Sequence, residues 1–162
     1  MKVITFLRHS KSSWDYEILD IHRPLSAVGI EKIKKTANSS KDHFISSEII
    51  YTSSANRALY TSILLAKSLS IKFRKIKICD ELYTFSFTEV MEFIRTIDNN
   101  YSNVVLVGHN PAYTEISNYF SENKILNLPT ARWFSLKFES DNWSDIIDLK
   151  PISYLNNLKS GV

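Results

Sequence analysis

Short apolar runs alternate along the chain with longer stretches whose apolar residues recur at helical spacing, a pattern that predicts a mixed sheet flanked by helices. Residues 3–7 form a compact apolar run and predict a buried strand. A polar, irregular stretch covers 8–24. Ser26 then has the character of a helix N-cap, with Ile30, Ile33 and Ala37 behind it at helical spacing. Residues 48–52 predict a second strand, broken by Ser53 and Ser54. Residues 55–69 predict a helix with Leu59, Ile63, Ala66 and Leu69 on its inner face.

A third strand is expected over 75–79. A helix over 87–97 follows, opened by Ser86 or Thr88, with Val90, Phe93, Ile94 and Ile97 inward. Residues 104–107 are the most hydrophobic strand, ended by Gly108. Pro111 marks a helix start, where its missing N–H costs nothing, and that helix should run to about Phe120. Beyond Pro129 the period changes. Residues 134–138 alternate, 143–149 are expected to pair with them as a hairpin, and the tail after Pro151 carries no pattern. No repeat or linker divides the chain, so 1–162 is expected to be one domain.

Composition narrows the class. Of 162 residues, 44% are hydrophobic and 23% charged, with 3 Gly and 4 Pro, which excludes disordered and collagen-like chains. The single cysteine, Cys79, excludes an internal disulfide framework and suits a reducing compartment. The first apolar run is too short for a signal-peptide core, and no run approaches membrane-spanning length, so a cytoplasmic protein without a membrane partner is expected. The net charge of +3 comes partly from Lys32, Lys34 and Lys35 and from Lys72, Arg74, Lys75 and Lys77. These clusters read as solvated surfaces, and no nucleic-acid partner is expected.

Candidate chemistry lies at two strand ends. The first strand runs out into Arg8-His9-Ser10, and the fourth into Gly108-His109-Asn110-Pro111. In parallel sheets functional groups gather beyond the carboxyl ends of strands, so two histidines leaving in one direction can meet across a pocket. Arg57, in the first turn of the next helix, should project over the same edge. Guanidinium forks match phosphate oxygens, and helix N-termini favour anions. The combination suits a two-step phosphoryl transfer in which a neutral imidazole attacks phosphorus while arginines and a second, protonated histidine stabilise the charge. No third ligand sits at a metal-like spacing beside the histidines, and no Walker loop, nucleophile elbow or dinucleotide glycine pattern occurs. Neither metal nor cofactor is expected. Taken alone, a histidine after a strand is more often structural than catalytic; His22 and His43 read as surface or loop residues.

At these residues the chain resembles the histidine phosphatase superfamily, the phosphoglycerate mutase-like fold, and more closely the SixA-type phosphohistidine phosphatases. The likeness rests on Leu7-Arg8-His9-Ser10-Lys11-Ser12-Ser13-Trp14-Asp15, Asp20, Arg23-Pro24-Leu25, Gly29, the segment 53–57, Leu82-Tyr83, the segment 107–111 and Pro129-Thr130. It implies an α/β three-layer sandwich with a mostly parallel central sheet. It also implies that His9 is the phosphorylated nucleophile and that Arg8, Arg57 and His109 form the phosphate pocket. Arg23 matches an arginine expected at the pocket mouth, or else a salt bridge that fixes the long loop.

Two positions depart from the superfamily pattern: Ser10 stands where glycine is usual, and Thr84 where related short proteins often carry an acid. Glu81 is the nearby substitute as general acid, or else a loop carboxylate paired with a pocket arginine. The resemblance therefore implies a metal-independent phosphoric monoester or phosphoramidate hydrolase acting on a protein phosphohistidine. The alternatives are a phosphatase of small phosphate esters with Glu81 as acid, and a phosphate-binding module without turnover. The short span between Arg57 and Glu81 leaves the pocket open, which suits a protein side chain over a small phosphorylated metabolite. Trp133 and Trp143 read as core, and Trp14 as a rim candidate.

Overall fold

Strands β1 (Lys2–Arg8), β2 (Ile49–Ser53), β3 (Ile76–Cys79), β4 (Asn103–Gly108), β5 (Trp133–Phe138) and β6 (Ser153–Asn156) join in one sheet of order β3-β2-β4-β1-β5-β6. The structure, a computed structural model, describes residues 1–158. β3, β2, β4 and β1 run parallel, while β5 is antiparallel to β1 and β6 to β5. The helices are α1 (Ala27–Ser39), α2 (Lys41–Phe44), α3 (Asn56–Leu69), α4 (Phe87–Arg95) and α5 (Ala112–Phe120).

The central strands β1, β2 and β4 are largely apolar on both faces because both faces are covered. Ile4, Phe6, Tyr51, Val104 and Leu106 pack with Val90 and Ile94 of α4 and Ile116 of α5. Leu7, Ile50, Val105 and Val107 pack with Ile33 and Ala37 of α1 and Leu65 and Leu69 of α3. The result is the expected three-layer arrangement, in which each buried Leu, Ile, Val or Phe side chain contributes about 1.5–3 kcal/mol. Local signals behave as expected at two helix starts: Ser26 Oγ accepts from Gly29 N–H and Ser86 Oγ from Glu89 N–H. No described helix is long and apolar enough to cross a membrane.

Three expectations are corrected. Residues 143–149 form no hairpin strand. Trp143 is buried with its Nε1–H donated to Tyr101 O at 3.0 Å, Ile146 joins the same core, and a 3-10 turn covers Ile146–Asp148. Trp143 and Ile146 plug the end of the core at helical spacing, and the strand that pairs with β5 is β6, in the tail that carried no pattern. On α3, Leu59 and Ile63 are only half-buried, whereas Arg57, Ala58, Thr61 and Leu65 face inward. The helix is rotated so that its first turn serves the strand ends as well as the core. His43 is half-buried, stacked on Trp133 at 4.0 Å between ring centroids and hydrogen-bonded to Thr5 Oγ1 at 2.8 Å. Trp133 and Trp143 are core residues, as expected.

Ser70 closes α3 in the left-handed region at φ 56°, its N–H shared by Ala66 O and Lys67 O. That conformation favours glycine. Ser70→Gly is expected to raise the unfolding free energy by about 0.5–1 kcal/mol, read as a higher urea midpoint at unchanged m-value.

Candidate active site

Register brings the two histidines together. β1 and β4 are neighbours with Arg8 opposite Gly108, and His9 N–H donates to Gly108 O at 3.0 Å. Both chains therefore leave the sheet at one level, and the rings of His9 and His109 lie 5.1 Å apart between centroids. β2 lies on the far side of β4, so the turn after it swings the first turn of α3 over the same edge. Arg57, 2% exposed, donates from Nε to His9 Nε2 and from Nη2 to His109 Nδ1, both at 3.4 Å.

Hydrogen-bond logic fixes both tautomers. A carbonyl only accepts, so His9 Nδ1–H donates to Ser10 O at 2.7 Å and the Nε2 lone pair faces Arg57. A guanidinium only donates, so His109 Nδ1 accepts, and its Nε2–H donates to Ser53 Oγ at 2.7 Å. Burial above all, and then the Arg57, Arg8 and Arg23 charges, push His9 down to about 3 despite its bond to Ser10 O. Burial, then His9, Arg57 and Arg8, push His109 down to about 2 against the opposing charge of Asp20. Both imidazoles are neutral at pH 7. The expected protonated second histidine is thereby corrected, because burial and then the nearby charges of Arg57 and Arg8 disfavour its charged form.

The counter-charge is Asp20, a residue to which the sequence assigned no role. Its Oδ2 accepts from Arg57 Nη2 at 3.0 Å and from the Tyr83 hydroxyl at 2.6 Å, while Oδ1 accepts from Arg23 Nε at 3.1 Å. Burial works against its ionised form. The bonds from Tyr83, Arg57 and Arg23 together outweigh that and hold the carboxyl at about 2. Arg23 is buried, donates to Ser12 Oγ at 2.6 Å, and lays its guanidinium over the exposed Trp14 ring at 3.6 Å. It fixes the long loop at the pocket.

Arg8 donates from Nη1 to Leu128 O at 2.7 Å, and its buried Nε has no partner among the described residues. Glu81 lies on the flank beside Tyr83. It is exposed in the turn Asp80–Leu82, beside Tyr83, Thr88 and Glu89, and its carboxylate makes no ion pair or hydrogen bond with a pocket arginine among the described residues. Thr84 Oγ1 donates to the Glu89 carboxylate and accepts from Ser86 N–H at 3.1 Å, so that position pins the start of α4.

The segment around His9 is strapped from both sides. Ser10 N–H donates to Thr61 Oγ1 at 2.9 Å, and Ser10 Oγ to Gly29 O at 2.6 Å, which gives the unusual serine a structural task. Gly29 allows this approach, since a Cβ there would lie 2.0 Å from Lys11 O. On the other side Ala131, at φ 57°, donates its N–H to Arg8 O at 3.1 Å and His9 O at 3.2 Å, and its own carbonyl accepts from Thr36 Oγ1 at 2.9 Å.

No protein-family model matches the chain, and no curated protein matches it. Solved structures do. A protein provisionally assigned as phosphohistidine phosphatase SixA from Agrobacterium tumefaciens superposes with a TM-score of 0.77 at 20% identity, covering 95% of this chain and 97% of that one. The protein histidine phosphatase SixA complexed with tungstate gives 0.73 at 20% identity, covering 86% and 91%. A mycobacterial glucosyl-3-phosphoglycerate phosphatase in complex with VO3 gives 0.68 at 13% identity over 100% of both chains. The fold is that of the phosphoglycerate mutase-like histidine phosphatases, as the sequence motifs implied.

Two outcomes follow from this geometry. The unfolded chain takes up protons at His9 and His109 near pH 6.5, whereas the folded chain resists them until about pH 3 and 2. Stability is therefore full above the unfolded value and falls as pH drops below it, by up to about 1.4 kcal/mol per pH unit for each imidazole. Urea midpoints at pH 7, 6 and 5 should decline, and more gently in His109→Asn. In Gly108→Ala the new Cβ would lie 2.5 Å from the Tyr113 hydroxyl, which is part of a fully buried ring. That variant should lose about 1–3 kcal/mol in the same measurement.

Proposed function

We propose that this chain is a metal-independent phosphatase that removes the phosphoryl group from a phosphorylated protein histidine through a phospho-His9 intermediate. One observation carries the proposal: His9 Nδ1–H is committed to Ser10 O, so the neutral ring holds its Nε2 lone pair toward Arg57. A neutral imidazole with a fixed lone pair is a nucleophile toward phosphorus at ordinary pH. Charge agrees with this. Arg8, Arg23 and Arg57 set against Asp20 leave two positive charges uncompensated beside two neutral imidazoles. A phosphoryl group brings about −1.5 to −2. The unpartnered Arg8 Nε suits an anionic oxygen, since a buried charged donor is costly to leave unbonded.

In the first half-reaction the Nε2 electron pair bonds to phosphorus as the P–N bond of the substrate breaks, and the departing imidazole gains a proton from solvent. In the second, water attacks phospho-His9 and the P–Nε2 bond breaks, returning its electron pair to Nε2. Inorganic phosphate leaves and the water's surplus proton goes to solvent. Arg57 contacts the nucleophile and His109 at once, so its charge lies where charge builds on the transferring oxygens.

The substrate class turns on the leaving group. An alkoxide needs a proton in the transition state, worth about a hundredfold or more. Asp20, held at about 2, is ionised and has none to give, and Glu81 makes no ion pair or hydrogen bond with a pocket arginine among the described residues. A phosphorylated imidazole, whose ring has a reference pKa of about 6.5, leaves without a dedicated acid. The fold serves proteins named for either chemistry, so the missing acid is what favours the P–N substrate.

Millisecond quenching with a labelled phosphohistidine peptide should trap acid-labile phosphate on His9, and His9→Ala should trap none. Arg57→Ala is expected to lower kcat by about 10²–10³. Glu81→Gln should stay within about twofold of the parent, because an acid that takes part in the step would cost far more. Sugar-phosphate turnover faster than that of the peptide, and lost in Glu81→Gln, would replace this reading with the ester phosphatase.

A further inference from the structure

We infer that Lys11, Lys32, Lys35 and Arg132 form an anionic-side-chain dock beside the pocket, which selects protein substrates with acidic residues flanking the phosphorylated histidine. The inference rests on the phosphatase reading and names the kind of protein that the site would accept.

Three of the four are tied to the nucleophile segment, and Lys35 adjoins Lys32. Lys11 lies two residues beyond His9, and its carbonyl accepts from Ser26 N–H and Oγ at the start of α1. Lys32, further along α1, donates to Thr130 Oγ1 at 2.9 Å. Thr130 precedes Ala131, whose N–H reaches both Arg8 O and His9 O, and the carbonyl of the following Arg132 accepts from Arg8 N–H at 3.0 Å. Lys35 shares a hollow on α1 with Lys32, Val28 and Glu31.

These cations lack counter-charges. Among the described residues none of the four makes an ion pair, and Glu31 in the hollow is already paired with Lys34 at 3.0 Å. Burial, followed by the charges of Arg132, Arg8 and Lys11, lowers the pKa of Lys32, as expected of an ammonium group crowded by like charges. Such crowding disfavours the folded state and is relieved by an anionic partner. The flank beside Tyr83 has the opposite character. There Asp80, Glu81, Glu89 and Glu92 line one hollow, while the Tyr83 ring lies 5.7 Å from that of His109. An acidic segment is attracted to one side of the pocket and repelled from the other, which sets its direction across the site.

The test uses two synthetic phosphohistidine peptides of equal length, one flanked by Asp and Glu, the other by Ser and Gln. At low salt the ratio of kcat/KM, acidic over neutral, should be about tenfold and should shrink to about twofold in 0.5 M NaCl. Lys11→Glu and Lys32→Glu should each bring the low-salt ratio to one or below. A merely structural role would lower both peptides together and leave the ratio unchanged. A wild-type ratio of one, or variants that preserve it, overturns the inference while leaving the phosphatase reading intact. If neither peptide is turned over, the phosphatase reading fails. Anisotropy of the same peptides, unphosphorylated, with His9→Ala then decides: tighter binding of the acidic one sustains the dock, and equal binding ends it.

Discussion

The Arg57 guanidinium is a nearly fully buried cation that touches both imidazoles and a carboxylate. A charge removed from water in this way is tolerated only when paired and hydrogen-bonded, and that requirement shapes much of the surrounding chain. The partner comes from the long segment after β1. Asp20 supplies it twice, with its backbone carbonyl at 2.8 Å and its side chain at 3.0 Å. Arg23 and Tyr83 then hold Asp20, so an irregular loop is ordered by the needs of one arginine.

The same arginine keeps the histidines useful. Its donors meet one ring nitrogen of each imidazole, and the other nitrogens are taken by Ser10 O and Ser53 Oγ. Each ring therefore has one orientation and one tautomer. Neutrality follows from burial reinforced by like charge, and it leaves each ring one nitrogen with a free lone pair. A protonated pair at this site would add two positive charges to an already cationic pocket.

His9 owes its position to backbone contacts more than to side chains. β4 on one side, Ala131 on the other and Gly29 below leave residues 8–11 little freedom. Ala131 holds a left-handed φ that costs a non-glycine residue about 1–2 kcal/mol, offset by bonds to Arg8, His9 and Thr36. The strain therefore sits at a point bonded directly to the Arg8 and His9 backbone.

Much of this was legible from residue order. Strands β1 to β5, the caps at Ser26 and Ser86, and the start at Pro111 follow from local periodicity and side-chain chemistry, which act over a few residues. His9, His109 and Arg57 were legible too, because motifs at strand ends must emerge on one edge when the strands run parallel. Asp20 was present in those motifs without a task, and Glu81 was assigned one for which the fold gives it no pocket contact. Their difference arises from contacts 37 residues apart in the case of Arg57 and 63 in that of Tyr83. The rotation of α3, the pairing of β6 and the charge state of His109 were decided in the same way, since each depends on which distant groups share a desolvated volume. Local pattern determined which elements form and where reactive side chains leave them. Packing alone determined which charges meet, and so which groups are ionised.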